Sequence, residues 1–125
     1  MNSTANASDG LALFIATSGS TAPDGLCIAR FDPATGTLRA ASSANVLRNS
    51  MFLALARDGR TLYAIDGDLA VDGVKTGGVS ALAVSDDGAL NPLNSVPMDG
   101  VPCHLSVDAT GQWLLAASYS GGYVT

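Results

Sequence analysis

A stretch of this sequence recurs 52 positions further along the chain, and that interval limits the folds that the chain can adopt. Residues 52–65 and 104–117 both read as a short alternating strand, a turn that ends in glycine, and a second apolar strand. The apolar positions agree one by one, as Leu53 and Leu105 do, and the turn glycines agree as well. Repeats of this kind are typical of modular architectures, in which equivalent units pack side by side.

A second pair of segments repeats at the same interval. Residues 26–38 and 79–90 each hold a strand, a turn closed by glycine and the start of another strand, with these glycines again 52 positions apart. The complete unit therefore predicts four strands in meander order, at Phe52–Ala56, Leu62–Ile65, Val79–Val84 and roughly Leu93–Val96. The Asp-Gly pairs at 58–59 and 87–88 supply the positive-φ positions that tight hairpin turns need.

The strand pattern predicts an all-β protein, a β-propeller fragment of about two and a half four-stranded blades. After a disordered N-terminus at 1–10, residues 11–49 would supply three strands, 50–100 four, and 101–125 two with the start of a third. A β-sandwich also consists of alternating strands, but it has no reason to repeat at a fixed interval. Incomplete blades expose unpaired strand edges, so we expect a truncated chain or one that self-associates.

The charged residues are unusual in kind. All 11 acidic residues are aspartate, and Lys75 is the one lysine beside five arginines. Surface helices normally use Glu and Lys, whereas Asp and the 14 glycines favour turns, so the composition argues against a helical protein. Because the net charge is -5 and the cations are scattered, nucleic acid and membrane surfaces are poor partners. An anionic sugar phosphate would also need clustered arginines, which this stretch does not show.

Cysteine usage and the N-terminus bear on the cellular compartment. Cys27 and Cys103 are too few for a disulfide framework and lack the spacing of a metal site, so we expect two small buried thiols. Met1–Gly10 lacks the basic-then-apolar order of a signal peptide, and no apolar run reaches membrane-spanning length. These features predict a cytoplasmic protein.

Three segments of the chain resemble the lactonase family of seven-bladed β-propellers. Residues 25–38 are similar to the family segment GIYVYRFDPATGTL, and residues 50–65 are similar to PSFLALSPDGRFLYAV. Residues 101–124 are similar to GPCHLSVDPSGRFLLVANYGGGSV, because a Pro-Cys-His run and a Tyr-x-Gly-Gly run occur together at the same spacing. The resemblance covers nearly the whole chain after Ser8 and implies a seven-bladed parent of which this chain is the N-terminal part.

The resemblance implies hydrolysis of a sugar lactone, most specifically of 6-phosphogluconolactone to 6-phosphogluconate in the pentose phosphate pathway. It implies no metal and no cofactor. Relatives of the same fold cycloisomerise carboxymuconate to a lactone, and a propeller can also be a non-catalytic binding scaffold, so both alternatives stay open. Further candidate His, Arg and Glu residues of the family lie in later blades, and we therefore expect this fragment to be inactive by itself.

Five residues are candidates for the site that the resemblance implies. His104 opens the first strand of a blade, where it would line the central channel as a general base or as a donor to the lactone carbonyl. The structural alternative is a histidine tied to a loop carbonyl, which holds the start of the blade. The candidates for substrate binding are Arg48, Asn49, Ser50 and Tyr119. Turn formation alone could also explain the Tyr-Ser-Gly-Gly run.

The sequence departs from the family pattern near several of these positions. The family's Asn-Pro-Ser-Phe is Asn-Ser-Met-Phe at 49–52, its Asn-Glu is Asp-Gly at 66–67, and its Ala-Asn-Tyr is Ala-Ser-Tyr at 117–119. Residues 66–73 carry three spaced aspartates, but Ala70 stands where an EF-hand needs its third ligand. We therefore predict a flexible inter-strand loop at 66–73 and no metal site.

Overall fold

In a computed structural model of the chain, residues 10–18 and 25–125 are described, with side chains for all of these except 40 and 41. This part of the chain forms three antiparallel sheets and one small separate hairpin, without a helix. The all-β prediction is confirmed. The N-terminal residues 1–9, expected to be disordered, lie outside the described residues. No helix in the described ranges is long and apolar enough to cross a membrane.

The strands follow the meander order that the repeat predicts. In chain order they are β1 (Leu11–Ala16), β2 (Leu26–Asp32), β3 (Thr37–Ser43), β4 (Leu53–Leu55), β5 (Thr61–Asp66), β6 (Ala70–Val71), β7 (Val74–Lys75), β8 (Gly78–Val84), β9 (Leu90–Pro97), β10 (His104–Val107), β11 (Leu114–Ser118) and β12 (Tyr123–Val124). The first sheet has the order β1-β2-β3, the second β4-β5-β8-β9 and the third β10-β11-β12, while β6 pairs with β7 alone.

The second sheet contains the complete repeat unit, and its four predicted strands are all present. Its last strand begins at Leu90, earlier than the sequence predicts. The Asp-Gly turn before it is tight, because the Ser85 N–H donates to the carbonyl of Ala89 at 2.9 Å. Leu90 therefore pairs with Val84 directly after the turn.

The segment between β5 and β8 is more regular than expected. In place of the predicted loop, β6 and β7 form a short antiparallel hairpin. Asp72 and Gly73 stand at its tip with φ angles of 51° and 79°, the left-handed pair that a type I′ turn requires. Aspartate tolerates this conformation better than most residues because its short polar side chain bonds locally to the backbone.

The inner strands of successive sheets lie next to each other. β4 and β10 are the first strands of their sheets and contact one another. The first sheet has no equivalent strand among the described residues, so β1 takes the innermost place and lies beside β4. This convergence of inner strands is the arrangement of blades around a propeller axis.

Two apolar cores separate the three sheets. The first core lies between the first and second sheets, where Leu26 packs with Leu62 and Leu82. The second core lies between the second and third sheets, where Ile65 packs with Leu105. The second sheet is therefore buried on both faces. A two-layer sandwich buries one face of each sheet, so this packing is that of stacked propeller blades.

The two cysteines are less buried than their residue type suggests. Both are free thiols; Cys27 in β2 is half-buried and Cys103 before β10 is exposed. The prediction of two buried thiols is therefore wrong for Cys103. Cys103 lies in the loop before β10, where its backbone N–H donates to the carbonyl of Ala117 at 2.8 Å.

Leu62→Ala should destabilise the chain, whereas Leu93→Ala should have little effect. Leu62 is enclosed in the first core, and its truncation leaves a cavity that costs about 2–5 kcal/mol. Leu93 lies in β9 of the same sheet with 59% of its surface exposed, so its truncation should cost under about 0.5 kcal/mol. Urea unfolding followed by circular dichroism measures both free energies, and equal losses would contradict this location of the core.

Candidate functional site

The five candidate residues all lie at one end of the stacked sheets. We call this end the loop face. It consists of the start of β10 and of four segments, 44–52, 67–77, 98–103 and 119–122. These segments meet because β4 and β10 begin where β5 and β11 end: Leu53 pairs with Ala64, and His104 pairs with Ala117. Antiparallel pairing thus brings distant parts of the sequence to a common surface.

The imidazole of His104 rests against the ring of Phe52. The ring centroids are 4.4 Å apart and the planes are inclined by 47°, a favourable geometry for an aromatic pair. The side chain is exposed, and neither ring nitrogen has a hydrogen-bond partner among the described residues. The tie to a loop carbonyl that we considered is thus not made in this part of the chain. Phe52 orients the imidazole and leaves both nitrogens open to a ligand.

Sequence reasoning missed Phe52 as a partner of His104, although the repeat contains the signal. Phe52 occupies in the second module the position that His104 occupies in the third, 52 residues later. Equivalent positions of neighbouring modules lie side by side, and β4 and β10 contact each other. A ring contact between these two residues therefore follows from the modular packing.

A cavity of about 400 Å³ opens beside Arg48. Its lining includes Asp66 and Asp68 as well as Arg48, so it carries both signs of charge. The positive charge of Arg48 contributes to lowering the pKa of Asp68, which places the guanidinium within electrostatic reach of that carboxylate. A mixed lining of this kind suits the hydroxyl groups of a neutral polar ligand better than it suits a strong anion.

Asp68 and Lys75 form an ion pair at the loop face that sequence reasoning also missed. The Lys75 Nζ donates to Asp68 Oδ1 at 2.7 Å. This bond is the main cause that lowers the pKa of the Asp68 carboxyl, with further lowering by the Lys75 charge, by Asn49 and by Arg48, while desolvation opposes it. The pair fixes the β6–β7 hairpin to the loop at the end of β5.

Asn49 is braced by the backbone of Gly67. The Gly67 N–H donates to the Asn49 carbonyl at 2.8 Å. A Cβ at residue 67 would stand 2.6 Å from the Asn49 amide nitrogen, so a larger residue there would displace the Asn49 side chain. The backbone of Asn49 therefore connects two loops, while its side-chain amide interacts with Asp68.

Ser50 is completely buried. None of its surface is exposed, and its Oγ has no hydrogen-bond partner among the described residues. Its backbone N–H donates to the Thr17 carbonyl at 3.0 Å, which ties the second sheet to the first. Pro102 fills the equivalent position one module later and is also buried, so this slot suits an apolar residue. The placement argues against contact between Ser50 and a substrate.

Tyr119 lies in a turn that Ser118 holds in shape. The Gly122 N–H donates to the Ser118 carbonyl at 2.9 Å. The Tyr119 side chain is 90% exposed, and its hydroxyl has no partner in the described part of the chain, so it can meet a ligand. Tyr123 has a different role, because its hydroxyl donates to the Asp99 carbonyl at 2.8 Å and pins this turn to the loop before β10.

Ser50→Ala should be neutral or stabilise the chain by up to about 1 kcal/mol, because it removes a buried hydroxyl that lacks a partner. Ser80→Ala is the matched control. Ser80 is also buried, but its Oγ lies 2.7 Å from Ser95 Oγ and 3.2 Å from Asp66 Oδ2, so its loss should cost about 1–3 kcal/mol. Denaturant unfolding measures both changes, and equal losses would show that the Ser50 hydroxyl is satisfied in solution.

Lys75→Ala should raise the pKa of Asp68 toward its ordinary value of 3.8, because it removes the largest cause of the lowering. Lys75→Arg keeps the charge and should keep much of the effect. Since the folded-state pKa is lowered, the stabilisation from this pair is present above pH 3.8 and is lost as the pH falls through the lower folded-state value. Titration of the Asp68 carboxyl by NMR tests this, and an unchanged midpoint in Lys75→Ala would refute it.

Comparison with known proteins assigns this architecture to a family. Residues 12–125 match the family described as Lactonase, 7-bladed beta-propeller. Over 44 residues, the chain is 39% identical to a 6-phosphogluconolactonase of Serratia proteamaculans, an overlap that covers 35% of this chain and 13% of that protein.

Two solved structures share the fold over nearly the whole chain. The structure of a candidate 6-phosphogluconolactonase from Bacteroides uniformis aligns with a TM-score of 0.78 and 32% sequence identity. The alignment covers 94% of this chain and 33% of the Bacteroides uniformis chain. The structure of a second candidate 6-phosphogluconolactonase, from Bacteroides fragilis, aligns with a TM-score of 0.78 and 29% sequence identity. That alignment covers 100% of this chain and 33% of the Bacteroides fragilis chain. This chain thus spans a third of the length of these structures. By its match over residues 12–125, it belongs to the lactonase family of seven-bladed β-propellers.

Proposed function

We propose that the complete protein hydrolyses a sugar lactone, and that its substrate is 6-phosphogluconolactone. The observation that carries this proposal is the exposed imidazole of His104, which Phe52 orients at the start of an inner strand with both nitrogens open. Family membership supports the class of reaction. The names of the relatives support the choice of substrate.

Lactone hydrolysis needs a base for the attacking water and donors for the charge that develops. The water oxygen bonds to the lactone carbonyl carbon while the imidazole of His104 takes one proton from that water. The tetrahedral oxyanion then collapses, the bond from the carbonyl carbon to the ring oxygen breaks, and the imidazolium returns its proton to the departing alkoxide. The product is a hydroxy acid, and the reaction balances without a co-reactant.

The other candidates differ in what their side chains can do for a substrate. The unpartnered hydroxyl of Tyr119 can donate to a substrate oxygen or to the oxyanion. Arg48 lines the cavity that also contains Asp66 and Asp68, and Asn49 interacts with Asp68 beside it; this mixed charge suits the hydroxyls of a sugar acid better than its phosphate. Since the net charge of this chain is -5, we expect cationic groups elsewhere in the complete protein to hold the phosphate.

A non-catalytic scaffold is the second candidate, and the loop face offers one observation in its favour. Ser50 is buried and Asn49 is braced against Gly67, so two of the four binding residues inferred from the sequence serve packing. A scaffold would bind a sugar acid or lactone without turning it over. Binding and turnover must therefore be measured separately.

His104→Ala in the complete protein should lower kcat for 6-phosphogluconolactone by about 100- to 10,000-fold, the usual contribution of a general acid–base group. Gln112→Ala is the matched control: Gln112 is exposed in the turn between β10 and β11, at the opposite end of the sheet, and kcat should not change. Acid release in weak buffer with a pH indicator follows the reaction, after subtraction of spontaneous hydrolysis.

Two outcomes would count against this assignment. An unchanged kcat in His104→Ala would remove His104 from the mechanism. A complete protein that binds 6-phosphogluconate in a calorimeter but releases no acid from the lactone would identify the scaffold as the better description.

A further inference from the structure

The guanidinium of Arg48 is unpaired although two carboxylates lie beside it. Arg48 is exposed and lines the cavity of about 400 Å³ together with Asp66 and Asp68. Its side chain makes no hydrogen bond and no ion pair with any residue in the described part of the chain. A guanidinium readily pairs with a nearby carboxylate, because its planar fork matches the two carboxylate oxygens. The free state of Arg48 therefore needs a physical cause.

The backbone at Arg48 is fixed on both sides. A Cβ at residue 25 would stand 2.5 Å from the Arg48 carbonyl carbon, so the first sheet lies directly against this backbone. The Gly25 N–H donates to the Leu47 carbonyl at 2.7 Å, and the Gly67 N–H donates to the Asn49 carbonyl at 2.8 Å. The root of the Arg48 side chain is thus held at the cavity, and only its side-chain torsions decide what the guanidinium contacts.

The carboxylate of Asp66 is engaged within the second sheet. Its Oδ1 accepts a hydrogen bond from the Asp68 N–H at 3.1 Å, and its Oδ2 accepts one from the Ser80 hydroxyl at 3.2 Å. Ser80 is buried, so the second bond turns the carboxylate toward the protein. Asp66 therefore competes weakly for the guanidinium of Arg48.

The carboxylate of Asp68 is engaged by Lys75. The Lys75 Nζ donates to Asp68 Oδ1 at 2.7 Å, and the Asn49 side chain also bonds to this carboxylate. Exposed ion pairs are usually weak, because two long side chains must be ordered. Here the pairing of Ala70 with Lys75 across the β6–β7 hairpin holds the lysine two residues from Asp68 in the folded chain. Lys75 thus occupies the carboxylate that Arg48 would otherwise meet.

We propose that Lys75 is a positioning residue, which occupies Asp68 and thereby keeps the guanidinium of Arg48 available to the hydroxyl groups of a sugar acid or its lactone. Without Lys75, Asp68 would pair with Arg48 and withdraw its N–H donors from the cavity. A free guanidinium has several such donors and can bind more than one hydroxyl oxygen of a polyhydroxy ligand. The class of ligand rests on the proposed function, whereas the competition between the two cations for Asp68 does not.

Lys75→Met in the complete protein should raise the KM for 6-phosphogluconolactone by about two- to fivefold, the range expected for loss of an exposed ion pair, with kcat unchanged. The Lys75 side chain is 71% exposed, so the substitution leaves both cores intact. Lys75→Arg keeps a cation on Asp68 and should keep the KM. Arg60→Met is the matched control, because it removes a positive charge from the turn between β4 and β5, at the other end of the sheet, and should change neither constant.

A double-mutant cycle shows whether Lys75 acts through Arg48. Calorimetry with 6-phosphogluconate measures the Kd of each variant and needs no turnover. Arg48→Met should raise the Kd by about tenfold or more, the usual weight of hydrogen bonds to a charged group. Lys75→Met should add no further rise in that background, whereas a lysine that attracts the ligand by its own charge would weaken binding there as well. Asp68→Asn should return the Kd of Lys75→Met toward the original value, because a neutral amide does not draw Arg48 away.

The position of the Arg48 guanidinium in the variant tests the same mechanism without a ligand. A crystal structure of the Lys75→Met protein should show this group paired with Asp68, with nitrogen and oxygen within about 4 Å. An unpaired Arg48 in that structure, an unchanged Kd in Lys75→Met, or a full further loss of binding in the Arg48→Met background would overturn the inference. Absence of turnover with the expected pattern of Kd values would count against the lactonase activity alone.

Discussion

Apolar side chains on both faces of the second sheet are the constraint on which the rest of the structure depends. Leu62 points into one core and Ile65 into the other, and each such burial contributes about 1.5–3 kcal/mol only when a further sheet covers that face. The chain therefore stacks its sheets in series instead of closing them into two layers. In a propeller, sheets stacked in this way are arranged around a central axis.

The same stacking builds the candidate site. Inner strands of neighbouring modules converge, so Phe52 and His104 meet although they stand 52 residues apart. Antiparallel pairing then places the loops around them at one end of the sheets. There the loop before β4 meets the loop after β5, and Asn49 bonds to Gly67. No single sheet contains this surface, which explains why its geometry depends on how the modules pack.

Local patterns were sufficient for the strand order and insufficient for its details. Alternating apolar residues and Asp-Gly turns are short-range signals, and they located the strands of the second sheet correctly. The hairpin tipped by Asp72 and Gly73 escaped because strands of two residues are too short to show alternation. Cys103 is exposed because it lies in the loop before β10, a position that residue type alone does not indicate.

The amino-acid sequence by itself is enough to establish an all-β modular chain, its lactonase family and a short list of candidate residues. The signals are the repeat, its turn glycines and the Pro-Cys-His run. Three-dimensional packing then sorts that list. It encloses Ser50, sets Arg48 near carboxylates and leaves the nitrogens of His104 open. Burial and ion pairing depend on neighbours from other loops and sheets. The separation of two residues along the chain does not show whether they become neighbours.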